Sequence, residues 1–383
     1  MNDERIILVV IPAQGGSRAL GENVITALKK NGHDVTVFDI NTEKAIFAKN
    51  TNDKNRILGM VNSSLLSKAE SIKPDLLLVI ALAPIFPDTL DCIRKSGIKT
   101  AHYFCEDLRA EEHWQPIIKA YDHFFIIQKE PWLTICREQN RLTYYLPNGA
   151  PVELMPATAA EKKYDLVFAG APYENRIHFF EKLLASNLDF RIFGWGWNRV
   201  PLSEALRKRV VGGGEWLNYS DLFNIYSEAR IVLNLHSTLS GNEIERTGDF
   251  VNPRSFVIPL AHTLQLSDRR EALFEFFTEG MDIACFSSME ELTEKAEYYL
   301  AHPDSTELLV NESRNTVLKR HLLTHRMSDL INAVFQTKVD KTFNDLFLDV
   351  KKTFKEGKLI SDEDMLIMLA EDVRTKSSSS ENG

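Results

Sequence analysis

The chain has 383 residues, 44% of them hydrophobic and 26% charged, with a formal net charge of −9. That is long enough for two domains that each bury a core, and ordinary for soluble globular protein. An acidic balance with no basic tract excludes broad nucleic-acid binding, though not a local basic pocket for one nucleotide diphosphate.

The start Met1-Asn2-Asp3-Glu4-Arg5 puts acidic residues ahead of a short apolar run, unlike a signal peptide, and no apolar stretch reaches ~18 residues. Cytoplasmic residence is therefore expected. Cys92, Cys105, Cys136 and Cys285 make no CxxC pair or metal-like cluster, and read as reduced, mostly buried small apolar residues.

Ile6–Ile11 is a continuous apolar run ended by Pro12, the pattern of a buried parallel strand. Gln14-Gly15-Gly16-Ser17 makes a turn, and a helical pattern runs to Lys30, where Asn31-Gly32-His33 forms a C-cap. Val35–Phe38 is the second strand, 54–73 a long amphipathic helix, and Leu76–Leu82 the most apolar strand of this half. Thr100–Phe104 and Phe124–Gln128 are further strands, each after a helical segment. This βα alternation predicts a doubly wound parallel sheet. Three prolines between Pro147 and Lys163 mark a linker. A second βα series follows with strands Tyr164–Ala169, Phe190–Phe193, Ile231–Leu235 and Ile283–Phe286. Capping boxes are expected at Ser288/Glu291 and Asp304/Glu307. The expected division is an N-terminal Rossmann-like domain over 1–150, a linker over 151–163 and a second Rossmann-like domain over 164–335. A helical extension over 336–375 and a disordered tail over 376–383 complete it.

The densest signal lies between Arg230 and Leu300. A strand ends in Leu233-Asn234-Leu235-His236, a polar loop follows, and Asn252-Pro253-Arg254-Ser255-Phe256 opens a helix. Gln265-Leu266-Ser267-Asp268, another helical stretch, Phe277-Thr278-Glu279-Gly280, the strand Met281–Phe286 and a helix running to Tyr298-Tyr299-Leu300-Ala301-His302-Pro303 come next. This order places polar groups beside the carboxyl ends of parallel strands, where open α/β sheets bind ligands.

As a set, over roughly residues 70 to 330, these pieces resemble the CgeB-like (spore-maturation type) glycosyltransferases, which have the two-domain GT-B architecture. The resemblance implies transfer of a sugar from a nucleotide-diphosphate donor to an acceptor hydroxyl on a protein, glycan or surface polymer, with no metal and no cofactor. One departure stands out. Val257 and Ala261-His262 replace the family's glutamate and its glycine or Cys-Gly pair. In related transferases that glutamate holds the donor ribose, and valine cannot accept a hydroxyl hydrogen bond. Two rivals therefore stay open: a non-catalytic GT-B-like binding or scaffold protein, and a nucleotide-sugar epimerase. The 336–375 extension would offer a surface for a protein partner or self-association.

Candidate residues follow from position and resemblance together. Gly15 and Gly16 read either as an acceptor-side loop that lets backbone approach a ligand or as a plain βα turn. Asp107, with Glu106 second, ends a strand as a candidate general base, or Asp107 caps a following helix. Gly170, with Arg176 one turn into the next helix, fits a phosphate contact, or a structural turn with a solvated arginine. Gly194, Trp195 and Trp197 either wall the donor pocket or pack in the core. Gly214 and Trp216 belong to a glycine loop that in GT-B folds borders the nucleobase, or to a flexible surface loop. Asn234, His236, Asn242, Glu243, Arg246, Asn252 and Arg254 crowd one stretch. There Arg254 and a helix N-terminus would bind the donor diphosphate, with a salt bridge to Asp249 as the alternative. His236 would orient a phosphate or sugar hydroxyl, and Asn252 is read as an N-cap. Asp362-Glu363-Asp364 resembles a metal triad by letter only; capping of a helix start explains it.

Overall fold

The computed structural model describes residues 4–49, 51, 53–109, 114–153, 160–237 and 249–335. The first sheet contains β1 (Ile6–Ile11), β2 (Asp34–Asp39), β3 (Leu76–Ile80), β4 (Lys99–Phe104), β5 (His123–Ile126) and β6 (Thr143–Tyr145). All pair in parallel in the order β2-β1-β3-β4-β5-β6. The connecting helices are α1 (Gly16–Lys30), α2 (Ile40–Phe47), α3 (Lys54–Ile72), α4 (Pro87–Lys95), α5 (Trp114–Ile117) and α6 (Trp132–Gln139). β3 is buried along its whole length, as an apolar run covered on both faces requires. The end of α1 is a Schellman turn: Gly32 at φ +87 lets its own amide reach Lys29 O while the His33 amide reaches Leu28 O.

The second sheet contains β7 (Tyr164–Ala169), β8 (Phe190–Phe193), β9 (Ala229–Asn234), β10 (Leu264–Asp268) and β11 (Ala284–Phe286), also all parallel, in the order β11-β10-β9-β7-β8. Its helices are α7 (Glu174–Leu183), α8 (Glu204–Arg207), α9 (Tyr219–Ser227), α10 (Arg254–Val257), α11 (Met289–Ala301), α12 (Pro303–Arg320) and α13 (Leu323–Phe335). Strand order reverses at β1/β3 in the first sheet and at β7/β9 in the second, and such switch points open a crevice beyond the strand ends.

Both sheets belong to one compact unit that reaches Ile331. The chain passes between them twice, at adjacent points. The Ala150 amide donates to His321 O and the Leu323 amide to Ala150 O, both at 2.8 Å. No described helix is long and apolar enough to cross a membrane.

Several expectations need correction. Leu264–Asp268 is a strand that the series above lacked; its polar residues are all buried, so no apolar run announced it. The stretch after it is a short 3-10 turn over Glu271–Glu275, not a longer helix. β6 and α2 were also unforeseen. Ser288 caps α11 as expected, accepting from the Glu291 amide at 3.2 Å, while Glu291 reaches back to the Ser287 amide at 2.7 Å. The Asp304/Glu307 box does not form, because Pro303 already opens α12 and His302 is its N-cap. Of the four free cysteines, Cys136 and Cys285 are buried and Cys92 is exposed. The segments 336–375 and 376–383, with Asp362-Glu363-Asp364, lie outside the described residues.

Candidate functional site

At the β7/β9 switch point two arginines converge on the carbonyl of Leu235. Arg254 donates from Nη2 to Leu235 O at 2.7 Å, from Nη1 to Ala169 O at 2.9 Å and from Nε to Asn234 Oδ1 at 3.2 Å. Arg176 donates to Leu235 O at 2.8 Å and Ala171 O at 3.0 Å. Both guanidinium groups lie over Phe168, 5.2 and 5.4 Å from the ring centroid. A Cβ on Gly170 would stand 2.4 Å from Arg254 Nη1 and 3.2 Å from Arg176 Nη1, so only glycine fits between them. Among the described residues neither arginine has a carboxylate partner. Burial, and then the charge of Arg254, holds the Arg176 pKa well below its ordinary value; burial lowers Arg254 as well. Two like charges forced together in a low dielectric gain from an anion.

The polar residues nearby hold this cradle in place. Asn234 is saturated. Its amide donates to Ser255 Oγ at 2.8 Å and Gln265 Oε1 at 3.3 Å, and its oxygen accepts from Asn252 at 2.9 Å and from Arg254. Asn234 therefore positions Arg254 and has no group left for the ligand contact expected of it. Asn252 accepts from the Ser255 amide at 3.3 Å, in keeping with its N-cap reading. α10 is a single turn, so the positive charge at this point comes from the guanidinium groups, not from a helix dipole.

His236 is buried, with Nδ1 2.7 Å from Asp268 Oδ1. Burial brings the imidazole down to about 4. Burial alone would raise the Asp268 carboxyl, but the His236 ring and the Arg270 charge outweigh it and hold it at about 2. The pair is a neutral imidazole donating Nδ1–H to an ionised carboxylate. Asp268 and Arg270 stood out less in the sequence than the arginines of the cradle. Their signal was a polar pair at the end of a buried strand.

The tryptophans divide. Trp197 is fully buried, edge-on to Phe168 and Phe180, and its Nε1 donates to Gly170 O at 2.7 Å. It fixes the Gly170 turn from within the core and is not a pocket wall. Trp195 lies beneath Arg199, 46% exposed, and Trp216 is 58% exposed, so both can meet a ligand. Gly194, at φ +116, brings the turn after β8 against Gly170; a Cβ there would be 2.8 Å from Gly170 O. Gly214 O accepts from the Gly196 amide at 3.0 Å, which places the turn before Trp216 beside them.

In the first half, Gly15 takes φ +88 as the N-cap of α1, where no side chain caps the helix and the Arg18 amide donates to Gly15 O at 3.2 Å. Asp107 accepts from the Arg109 main-chain amide at 2.9 Å, from Arg109 Nε and Nη2 at 3.0 Å each, and from Gln128 at 3.1 Å. Among the described residues it caps its own turn. Asp249, the acid offered as the alternative partner of Arg254, lies 3.2 Å from Arg109. Glu106 is half-buried next to Asp107. Gln128 and Arg109 were missed by sequence reasoning; their only signal was polarity just past apolar strands. Asn242, Glu243 and Arg246 lie outside the described residues. Among the described residues no three His, Cys, Asp or Glu side chains gather as cation ligands.

Two parallel, doubly wound sheets joined at a hinge, with a cationic cradle at the second switch point, define the GT-B class. Residues 175–332 match the family model described as "Glycosyl transferase-like". The chain is 23% identical over 263 residues to Spore protein CgeB of Bacillus subtilis (strain 168), covering 67% of this chain and 81% of that protein. The CgeB-like resemblance and the fold read from the sequence are thus borne out. Among solved structures, sucrose-phosphate synthase from Thermosynechococcus elongatus aligns with a TM-score of 0.59 at 12% identity, over 87% of this chain and 100% of that one. Anabaena HepE in complex with UDP-glucose aligns at 0.57 and 11% identity, with the same coverage. At these identities the structural likeness shows the fold.

Proposed function

We propose that the chain is a metal-independent glycosyltransferase that moves a sugar from a nucleoside-diphosphate donor to an acceptor hydroxyl. The observation that carries this reading is the pair of arginines at the β7/β9 switch point, Arg176 buried and Arg254 partly buried, with no carboxylate partner among the described residues. Counting the described charges there, Arg176, Arg254 and Arg270 against Asp268 leave a surplus that a diphosphate would neutralise. The fold likeness to HepE bound to UDP-glucose supports a nucleotide sugar as the donor.

As the sugar–phosphate bond breaks, charge develops on the leaving diphosphate. In this reading Arg254 and Arg176, beside the N-terminus of α7, stabilise it. Trp195 and Trp216 border the donor, and Gly15 and Gly16 lie on the acceptor side. A general base must come within hydrogen-bond reach of the acceptor hydroxyl. In this reading the candidates are the two carboxylates just past β4, Asp107, which is held by Arg109 and Gln128, and its neighbour Glu106. The acceptor is a protein, glycan or surface polymer, and the setting is the cytoplasm.

Calorimetry of UDP and GDP binding to the parent protein and to Arg254→Ala tests the assignment. Losing a charged hydrogen-bond donor costs about 1.5–3 kcal/mol, so affinity should fall about 10- to 150-fold. Equal affinity in the variant would remove Arg254 from the site.

A further inference from the structure

Away from the hinge, the two halves touch at Gln128, a fully buried side chain just past β5. Its Oε1 accepts from the Leu108 amide at 2.7 Å. Its Nε2 donates to Asp107 Oδ1 of the first half and to Asp249 Oδ2 of the second, each at 3.1 Å. Arg109 bridges the same two carboxylates, 3.0 Å from Asp107 and 3.2 Å from Asp249. The Lys129 amide donates to Asp249 O at 3.2 Å, and Lys129 Nζ pairs with Glu275 at 2.6 Å.

The residue types suit a junction between halves. A carboxamide carries two N–H donors, so one buried side chain serves two acids that would otherwise repel each other. Arg109 adds a planar fork, but it is about one-third exposed and its ion pairs are screened. The buried amide is therefore the specific element. Asp249 precedes Asn252 and Arg254 by only a few residues, and Asn252 holds Asn234, which holds Arg254. A continuous run of hydrogen bonds and short chain thus links Asp107, the neighbour of Glu106, to the cationic cradle.

We propose that Gln128, Arg109, Asp107 and Asp249 form an interdomain clamp that sets the spacing between the acceptor-side carboxylate and the donor cradle. The role in transfer rests on the function proposed above; the clamp itself rests on these contacts. Its members are positioning residues. Asp107, singled out in the sequence as a base, acts through the clamp.

The test uses the full chain with Gln128→Glu, which removes both donors and adds a third acid, and with Asp249→Ala, which removes the acceptor from the second half. Spin labels at Lys95→Cys in α4 and Lys208→Cys just past α8, in a Cys92→Ser background, report the distance between halves. The parent should give one narrow distance distribution. Both variants should broaden or shift it, while UDP and GDP affinity stays within about 3-fold of the parent, because the cradle's own bonds are intact. A merely structural role would lower the melting temperature and leave the distance unchanged. Distances that match the parent in both variants overturn the clamp. Failure of the parent to bind UDP or GDP refutes the donor-site reading instead, and is read independently of the distances.

Discussion

Val257 stands where the resemblance drawn from the sequence implies a ribose-binding glutamate, and here it is 1% exposed, packed among Phe256, Ile258 and Leu260. Restoring the glutamate would bury a carboxylate with no apparent partner, at a cost of about 3 kcal/mol or more. Val257→Glu should lower the urea midpoint and bring no gain in nucleotide affinity. An unchanged midpoint with tighter binding would show that the position opens onto the ligand. The same logic separates residues whose placement was legible from those whose placement was not. Gly170, Arg176 and Arg254 stood out because a glycine turn and cations after parallel strands have few other uses. Trp197 and Asn234 were equally conspicuous by type, yet one points into the core and the other is saturated by its neighbours. Direction and hydrogen-bond saturation are set by tertiary packing and leave no mark in the local sequence.

Elements followed the same division. β1, β3, β7 and β9 were legible as apolar runs, since strands covered on both faces need them. β10 was not, because Gln265, Ser267 and Asp268 are buried by hydrogen bonding to β9 and its loops. α1 packs on β1 through Gly21, where a Cβ would stand 2.8 Å from Ile11 Cγ2. Gly21→Ala gains helix propensity, less than ~1 kcal/mol, but forces Ile11 aside at about 1–3 kcal/mol. The variant should be net destabilised in chemical denaturation. A stabilised Gly21→Ala would mean that α1 shifts freely over the sheet, and that the Gly15-Gly16 turn it carries is not fixed.

For the whole molecule, the pairing of two doubly wound halves was legible from βα alternation on either side of a Pro-rich linker. The contacts that join them were not. Ala150 with His321 and Leu323, and Gln128 with Asp249, connect residues more than a hundred positions apart and have no sequence period. In the proposed donor site, the second half binds a nucleoside diphosphate through an arginine pair that has no carboxylate partner among the described residues. Thermal unfolding against UDP, GDP and ADP, their sugar conjugates and the matching monophosphates tests it most directly. A ligand at ~100 times its Kd that binds only the folded state adds about 2.7 kcal/mol. Diphosphates of one base should shift the melting temperature upward, and the matching monophosphate should shift it less. Well-folded protein whose melting temperature no nucleotide moves would contradict the proposed donor site.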